Sequence, residues 1–470
     1  TTATEPTGAD RAPKRDGSPR AEHGGSLRMD AAAARLADRS RIGQTHRMQV
    51  LHARRMARGL AALIALITAA TTVLAQSPRR VLLVDLDDVG REILAATPTP
   101  ELDALAQRGR TFERFYTAPM CTATRALVTL GARGSRPEVL CTGNVSGSNT
   151  YKLPTAPYES LATVVVRAGL RASKVGKWHL CDDLEILHPL DHGWLPYIGV
   201  MGNPNPSGGD WYSYPENRSG VMAWVAGSYL TSREAELGMR LVEQGHDLVS
   251  VSFHAIHKPF HEPPAELHSI PPPLDSDWKL AQAALQALDH ELGRLLQVAE
   301  AHGYTVLVFS DNGLAGPLGG LKGTVWEGGV HTVLWAAGPG IPAGNDDALV
   351  EAVDLYATVL DLLGIAQGPT RGPDSTSFVP QLLGLGGSKG HVIAERGGPA
   401  GVDPRDNPAL WRRMVREDRY KLVVNQTTLG QRLYDLWNDP LETTDLLTAP
   451  SPPPGIELEL RRLRALLGQL

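Results

Sequence analysis

Cysteine is scarce: the 470 residues contain three, at positions 121, 141 and 181, and none forms a C-x-x-C pair. That spacing speaks against the common zinc-site and dithiol redox motifs. In an oxidising compartment Cys141 and Cys181 could pair and leave Cys121 alone; buried free thiols are the equal alternative. Positive charge is scarce over most of the chain. Residues 1–75 hold twelve Lys/Arg against six Asp/Glu, a balance of +6, so with a whole-chain charge of -5 the part from Gln76 onward carries -11. Such an acidic body argues against nucleic acid as the main partner. It exerts no global pull on an anionic substrate either, so that pull has to come from a local basic pocket. Beyond Ala75 no segment reaches the roughly 20 apolar residues of a membrane span. No internal repeat is visible.

What is present begins with an unusual N-terminus. Residues 1–55 are rich in Ala, Arg, Gly, Thr and Ser without a sustained apolar period, and read as disordered or as an over-extended gene start. Arg54, Arg55 and Arg58 then precede the 16-residue apolar run 60–75. Small residues before Gln76 complete the pattern of a signal peptide over 56–75, which implies an exported protein, periplasmic or extracellular. The run is marginal for a bilayer, so a cleaved signal with no remaining span is favoured over an uncleaved anchor.

The mature chain alternates strand and helix signals. Arg80–Val84 is a buried-strand pattern ending in Asp85-Leu86-Asp87-Asp88, and Thr305–Ser310 is a second one ending in Asp311-Asn312-Gly313. Helices are predicted at 100–109, 158–168 and 276–302, with a short strand at 172–175. This order implies α/β architecture, a large mainly parallel sheet with helices on both faces, whose ligands gather at the carboxyl ends of strands. After about residue 385 the texture changes: Met414–Val424 and Gln431–Leu436 read as strands and Gly455–Leu467 as a helix. The expected organisation is a catalytic domain over 76–385 and a small C-terminal α+β domain over 386–470.

Five segments carry candidate chemistry, each with a plainer alternative. Asp87-Asp88 is a solvated turn or, since adjacent carboxylates need neutralising, a site for Ca²⁺ or Mg²⁺. Cys121-Thr122-Ala123-Thr124-Arg125 enters a helix, and is a buried thiol with a surface arginine or an anion-binding nucleophile. In Gly176-Lys177-Trp178-His179 an extended backbone would point Lys177 and His179 to one face. His254-Ala255-Ile256-His257 follows the apolar run 248–253, and a histidine there is structural or a general acid. Asp311-Asn312-Gly313 and Lys322-Gly323-Thr324-Val325-Trp326-Glu327-Gly328-Gly329 complete the set as oxygen donors, a cation and close-approach glycines.

Taken in order, these segments resemble the sulfatase family of the alkaline-phosphatase superfamily from about Arg80 to Leu447. The resemblance includes the T-P-x-L-D-x-L-A-x-x-G helix at Thr99–Gly109, the C-x-P/A-x-R element at Cys121, G-K-W-H at Gly176, S-D-N-G at Ser310 and K-G-x-x-W-E-G-G at Lys322. Further on it includes 353–364, Arg419-Tyr420-Lys421-Leu422 and Leu433-Tyr434-Asp435-Leu436. It implies an alkaline-phosphatase-like fold and a sulfuric ester hydrolase whose Cys121 is oxidised by a formylglycine-generating enzyme to formylglycine. One oxygen of the aldehyde hydrate attacks sulfur, and the remaining hydroxyl expels sulfate. Asp87, Asp88, Asp311 and Asn312, with the converted Cys121, would hold one divalent cation, most often calcium, with Mg²⁺ as the other option. Arg125 and Lys177 would hold the diol, His179 would assist its deprotonation, Lys322 would contact sulfate oxygens and His257 would protonate the leaving oxygen.

Two departures stand out: Ala123 and Thr124 replace the usual Pro and Ser after the cysteine. No extra polar residue near the sulfate is placed beyond a guess at Ser207. A phosphate or phosphonate ester hydrolase on the same scaffold is one alternative; a catalytically silent sulfate- or glycan-binding homologue with unconverted Cys121 is the other. The substrate, a small-molecule or carbohydrate sulfate, is expected to be selected by loops 181–235 and 255–275. The rings of Trp194, Trp211, Tyr212, Tyr214 and Trp224 there suit a sugar-binding rim or a structural role equally.

Overall fold

In the computed structural model the described residues are 56 and 79–468, except 146–150, 205–208, 407–409, 427 and 429. The N-terminal segment and signal peptide expected over 1–75, and Ser207, lie outside them apart from Met56. Residues 79–468 belong to the unit Ala70–Leu470.

The strand β1 (Val81–Leu86) shows how the sequence builds the main sheet. All six of its residues are buried. Val81 and Leu83 join one hydrophobic cluster, whereas Leu82, Val84 and Leu86 join another on the opposite face. A strand covered on both sides needs a continuous apolar run rather than alternation. The next residues with the parity of Val81 and Leu83 are Asp85 and Asp87, which places two carboxylates on one side of the strand's carboxyl end.

The other strands of this sheet are β2 (Arg110–Tyr116), β3 (Ala172–Gly176), β4 (Tyr197–Gly199), β5 (Ser213–Arg218) and β6 (Val221–Ala226). They continue with β7 (Leu248–Ser252), β8 (Thr305–Ser310), β9 (His331–Ala337), β10 (Gly344–Asp346) and β11 (Val350–Glu351). Among the described residues these eleven strands run in the order β10-β2-β9-β8-β1-β7-β3-β4-β5-β6, with β11 also on β2. The centre, β8-β1-β7-β3, is parallel throughout, while the β2–β9, β8–β9, β4–β5 and β5–β6 pairs are antiparallel. The sheet is thus mixed around a parallel centre. Helices flank it, among them α1 (Cys121–Leu130), α2 (Leu230–Glu243) and α3 (Asp277–Ala301). Ser276 caps α3 by accepting from Lys279 N at 3.4 Å.

Four C-terminal strands, β12 (Val392–Arg396), β13 (Arg412–Arg416), β14 (Tyr420–Asn425) and β15 (Gln431–Asp435), form a separate antiparallel sheet. One face packs through Val392, Met414, Val423 and Tyr434 onto Tyr116, Val325 and Val330 of the large sheet's side. The other face, with Ile393, Val415, Leu422 and Leu433, packs on the terminal helix α4 (Ile456–Gly468).

Several expectations shift. The stretch 414–424 is two strands, β13 and β14, because Glu417-Asp418-Arg419 turns the chain. β12 gave no recognised strand signal. The helix expected at 158–168 is Leu161–Arg167, since Ser160 is its N-cap. Cys121, Cys141 and Cys181 are all free and buried. Trp194, Trp211 and Tyr214 are buried among core clusters, so their role is structural, whereas Trp224 is 57% exposed. No helix among the described residues is long and apolar enough to cross a membrane.

Candidate functional site

The parallel centre of the sheet delivers most of the candidate residues. Asp87 and Asp88 follow β1, Lys177 and His179 follow β3, His257 follows β7, and Asp311 and Asn312 follow β8. Adjacent parallel strands end side by side, so residues more than two hundred positions apart become neighbours. Local backbone features sharpen the turns. Gly176 has φ +87, and a Cβ there would run into the Ser252 carbonyl. Asp88 and His179 adopt left-handed φ values of +64 and +54, a conformation that non-glycine residues hold only where the surroundings impose it. The turn at His179 means that 177–179 is not extended strand, so alternation does not set the side to which its ring points.

Cys121 opens α1 at the mouth of these strand ends, with Met120 as the extended N-cap residue. Its thiol donates to Asp87 Oδ1 at 3.4 Å, and Lys322 Nζ donates to its sulfur at 3.0 Å. Lys177 Nζ pairs with Asp87, and Lys322 Nζ pairs with Asp88. His257 Nε2 is 3.9 Å from Asp88 Oδ2, and Asn312 Nδ2 donates to Asp88 Oδ1 at 2.7 Å. The Asp88 amide donates to Asp311 Oδ1 at 3.2 Å.

Arg125 lies one turn further along α1. Its guanidinium meets Asp85 at 2.8 Å and Asp311 at 3.1 Å, and donates to the Lys177 carbonyl at 3.2 Å. The Thr124 hydroxyl donates to the Asp311 carbonyl at 2.6 Å. Thr124, the residue that departs from the usual Ser, thus ties the nucleophile helix to β8.

Charge in this pocket is set by burial and close partners. Burial opposes ionisation of Asp87, yet Lys177, His257, Lys322 and Arg125 together hold it well below the carboxylate range. Burial, with Asp87 and Asp85 adding repulsion, pushes Asp311 well above it. Burial and then Asp87 push the Cys121 thiol up, so an unmodified Cys121 is a thiol at neutral pH. Burial and Lys177 lower His257 to about 4, and the same two causes lead in holding His179 well below its usual value. Burial opposes the charge on Lys322, but Asp88, Cys121 and Asp87 hold its ammonium well above the lysine range.

The donors suit a divalent cation. Asp87, Asp88, Cys121 and His257 each offer a ligand atom, and these atoms lie within 4.8 Å of one another. Asn312 Oδ1 is buried without a hydrogen-bond partner, an oxygen donor left over after its amide group is bonded. Adjacent buried carboxylates plus a spare amide oxygen are hard-cation chemistry.

Three residues in or below this pocket escaped the sequence reading. Asp85 anchors Arg125; its parity with Asp87 on β1 was the available signal. Lys174, on β3, donates to Ser250 and Ser252, and burial with Arg125 lowers it to about 7. Glu234, on α2, grips His254 at 2.5 Å while the other ring nitrogen meets the Gly202 carbonyl at 2.9 Å. That bonding makes His254 structural, and no local motif announces Glu234.

Comparison with known proteins adds lineage. A family model described as Sulfatase matches residues 80–365. Human N-acetylgalactosamine-6-sulfatase is 28% identical over 358 residues, covering 66% of this chain and 66% of its own length. The chain therefore spans about two thirds of that relative. Rat arylsulfatase G is 28% identical over 401 residues, 71% of this chain and 72% of its own. Among solved structures, the putative sulfatase yidJ from Bacteroides fragilis superposes with a TM-score of 0.66 at 17% identity, covering 83% of this chain and 96% of that one, a likeness of fold. The matched span runs from β1 past the Lys322 loop, over more than half of the chain and every segment that feeds the pocket, and so the protein belongs to the sulfatase family.

Proposed function

We propose that this protein hydrolyses a sulfate monoester to an alcohol or phenol and inorganic sulfate, with Cys121 converted to formylglycine as nucleophile precursor. The observation that carries the reading is the meeting of Cys121 Sγ, Lys322 Nζ and the Asp87-Asp88 carboxylates at one point. Asp87, Asp88, Asp311 and Asn312, with the converted Cys121, would hold one divalent cation, calcium by family habit. When bound, the cation supplies positive charge that offsets the carboxylates and polarises a sulfate oxygen. Formylglycine supplies, as its hydrate, an oxygen nucleophile that a buried thiol is not.

The chain's own side chains do the rest. Lys177 and Arg125, both directed at Asp87 Oδ2, fix the nucleophile's position. His179 is neutral, and its Nδ1 is buried without a partner, so it can take a proton from the nucleophile. Lys322 neutralises a sulfate oxygen. His257 Nδ1–H donates to the Lys258 carbonyl at 2.6 Å, which puts the lone pair on Nε2. The negative charge of an arriving ester favours protonation of Nε2, and that proton goes to the leaving oxygen. These cationic groups preorganise the pocket for an anionic transition state within an acidic protein.

Residues 76–385 form the catalytic domain and 386–470 a small appended one in this reading. An export signal over 56–75 would send the enzyme to the periplasm or outside the cell. A carbohydrate sulfate is the favoured substrate class, as the name of the human relative suggests.

Two measurements test the proposal. Mass spectrometry of the tryptic peptide containing Cys121, from protein made in its native host, should find the aldehyde. Purified enzyme should release sulfate from an aryl sulfate faster than phosphate from the matching aryl phosphate. Unmodified thiol throughout would favour the silent homologue, for which the buried, protonated Cys121 already argues in unconverted protein; the reverse ester preference would favour the phosphatase alternative.

A further inference from the structure

A basic cavity of about 520 Å³ lies between the Lys322 loop and the small C-terminal sheet. Three arginines line it, Arg396, Arg412 and Arg432, together with Trp326, Asn425 and Asp445. A cavity of this size accommodates one sugar unit.

Two observations mark it as built for an anion. Arg396 on β12 and Arg412 on β13 are directly opposed in the antiparallel register, and Arg412 is opposed in turn by Asn425 on β14. Like charges facing each other across a ladder are destabilising, more so when partly buried. Burial and then Arg412 lower the Arg396 guanidinium below the usual arginine range, in keeping with that repulsion. Arg432 adds a third cation, stacked over the Trp326 ring at 5.7 Å from its centroid. Among the described lining residues Asp445 is the one carboxylate, and its Oδ1 accepts from the Leu433 and Leu447 amides, both at 3.0 Å.

The cavity adjoins the reacting residues. Arg396 Nε donates to the Gly323 carbonyl at 3.1 Å, and Gly323 follows Lys322 directly. The Gly323 amide donates to the Pro119 carbonyl at 2.8 Å, two residues before Cys121. The wall on this side is therefore the peptide that presents Lys322 to Cys121.

Resting on the sulfatase reading, we infer that this cavity is a subsite for a second anionic group, and that the substrate is a sulfated oligosaccharide bearing a sulfate or carboxylate on the sugar beside the one hydrolysed. Planar guanidiniums match either anion bidentately. An isolated aryl sulfate or a singly charged sugar sulfate leaves this subsite unused.

The test compares sulfate release from a monosulfated disaccharide, a disulfated disaccharide, and a monosulfated disaccharide containing a uronate. In the wild type, kcat/KM for one or both doubly anionic substrates exceeds that for the singly charged one at least tenfold, and which one does so identifies the anion. In Arg412→Gln/Arg432→Gln the ratio falls toward one, while in Arg405→Gln, an exposed arginine elsewhere, it stays. Arg432→Gln alone, on an exposed side chain, keeps the test sound if the double variant folds poorly. An unchanged ratio in the variants, no preference in the wild type, or an equal fall in Arg405→Gln overturns the inference. Calorimetric binding of the same disaccharides to Cys121→Ser protein, with and without the arginine substitutions, reads the subsite independently of turnover. Absence of any sulfate release would thus defeat the sulfatase reading, whereas loss or retention of selective binding decides the subsite.

Discussion

The Thr124 hydroxyl and the Asp311 carbonyl are joined at 2.6 Å, a bond that, beside the Arg125–Asp311 ion pair, ties the helix bearing Cys121 to the strand end bearing Asp311 and Asn312. A serine keeps the hydroxyl; valine keeps the shape and loses the donor. Thr124→Val leaves a buried carbonyl without this donor and is expected to lower stability by about 1–3 kcal/mol. Its kcat/KM falls further than that of Thr124→Ser, as thermal melts and aryl sulfate turnover of the two variants would show. Equal activity in both would mean that the spacing is set by other contacts.

Arg125 is the cation on which two buried carboxylates depend. Replacing it with alanine strands Asp85 and Asp311, at a cost of about 3–5 kcal/mol. Lysine cannot span both partners with one ammonium, so Arg125→Lys recovers only part of the loss. Denaturant midpoints measure this directly; a variant as stable as the wild type contradicts it.

Much of this arrangement was legible beforehand, and the parts that were not have physical reasons. The strand 305–310 was found to the residue, because a buried parallel strand is an uninterrupted apolar run. Asp87, Asp88, Asp311 and Asn312 could be placed at strand ends for the same reason. Glu234 was invisible, since a charged residue on a helix becomes a buried partner only through the tertiary approach of His254. The aromatic residues at 194, 211 and 214 stay open between two roles in the sequence, because a large ring in a loop-rich region looks the same there whether it faces sugar or core. β12 gives no signal because its apolar run, 392–394, is only three residues long before Glu395 and Arg396, and only its sheet partners reveal it.

His257 lends itself to a leaving-group test. If it supplies the proton to the departing oxygen, His257→Ala costs on the order of 10²–10⁴-fold with a sugar sulfate, whose alkoxide leaves poorly. With a nitrophenyl sulfate, whose phenolate needs no proton, the loss is far smaller. Equal losses on both substrates would assign His257 to binding instead.

Cation binding can be read without any turnover. Calcium raises the melting temperature of the protein, by mass action worth about 2.7 kcal/mol at one hundred times the dissociation constant, and a chelator reverses the shift. Asn312→Ala reduces the shift and Asp88→Asn reduces it more. A melting temperature indifferent to calcium and to magnesium would remove the cation from the proposal.

Acid sensitivity should trace partly to Glu327, which bridges the two sheets by bonding Tyr116, Lys421 and His331. Burial opposes its ionisation, but Lys421 and His331 override it and hold the carboxyl at about 2 against a usual 4.5. A depressed folded value means stability present above pH 4.5 and lost as pH falls toward 2. The loss from this group is about 3 kcal/mol. Glu327→Gln flattens it, so urea unfolding at pH 7 and pH 3 should show a smaller difference in the variant than in the wild type.

The reacting groups hang from strand ends at the middle of one sheet, while the opposed arginines belong to another with its own apolar layers on both faces. On the inference drawn above, bond-breaking and ligand choice are mounted on different sheets. A substitution at the exposed Arg432 then alters which ligand is held and leaves the cleaving atoms in place, whereas one at Arg396, bonded to the Gly323 carbonyl beside Lys322, disturbs both.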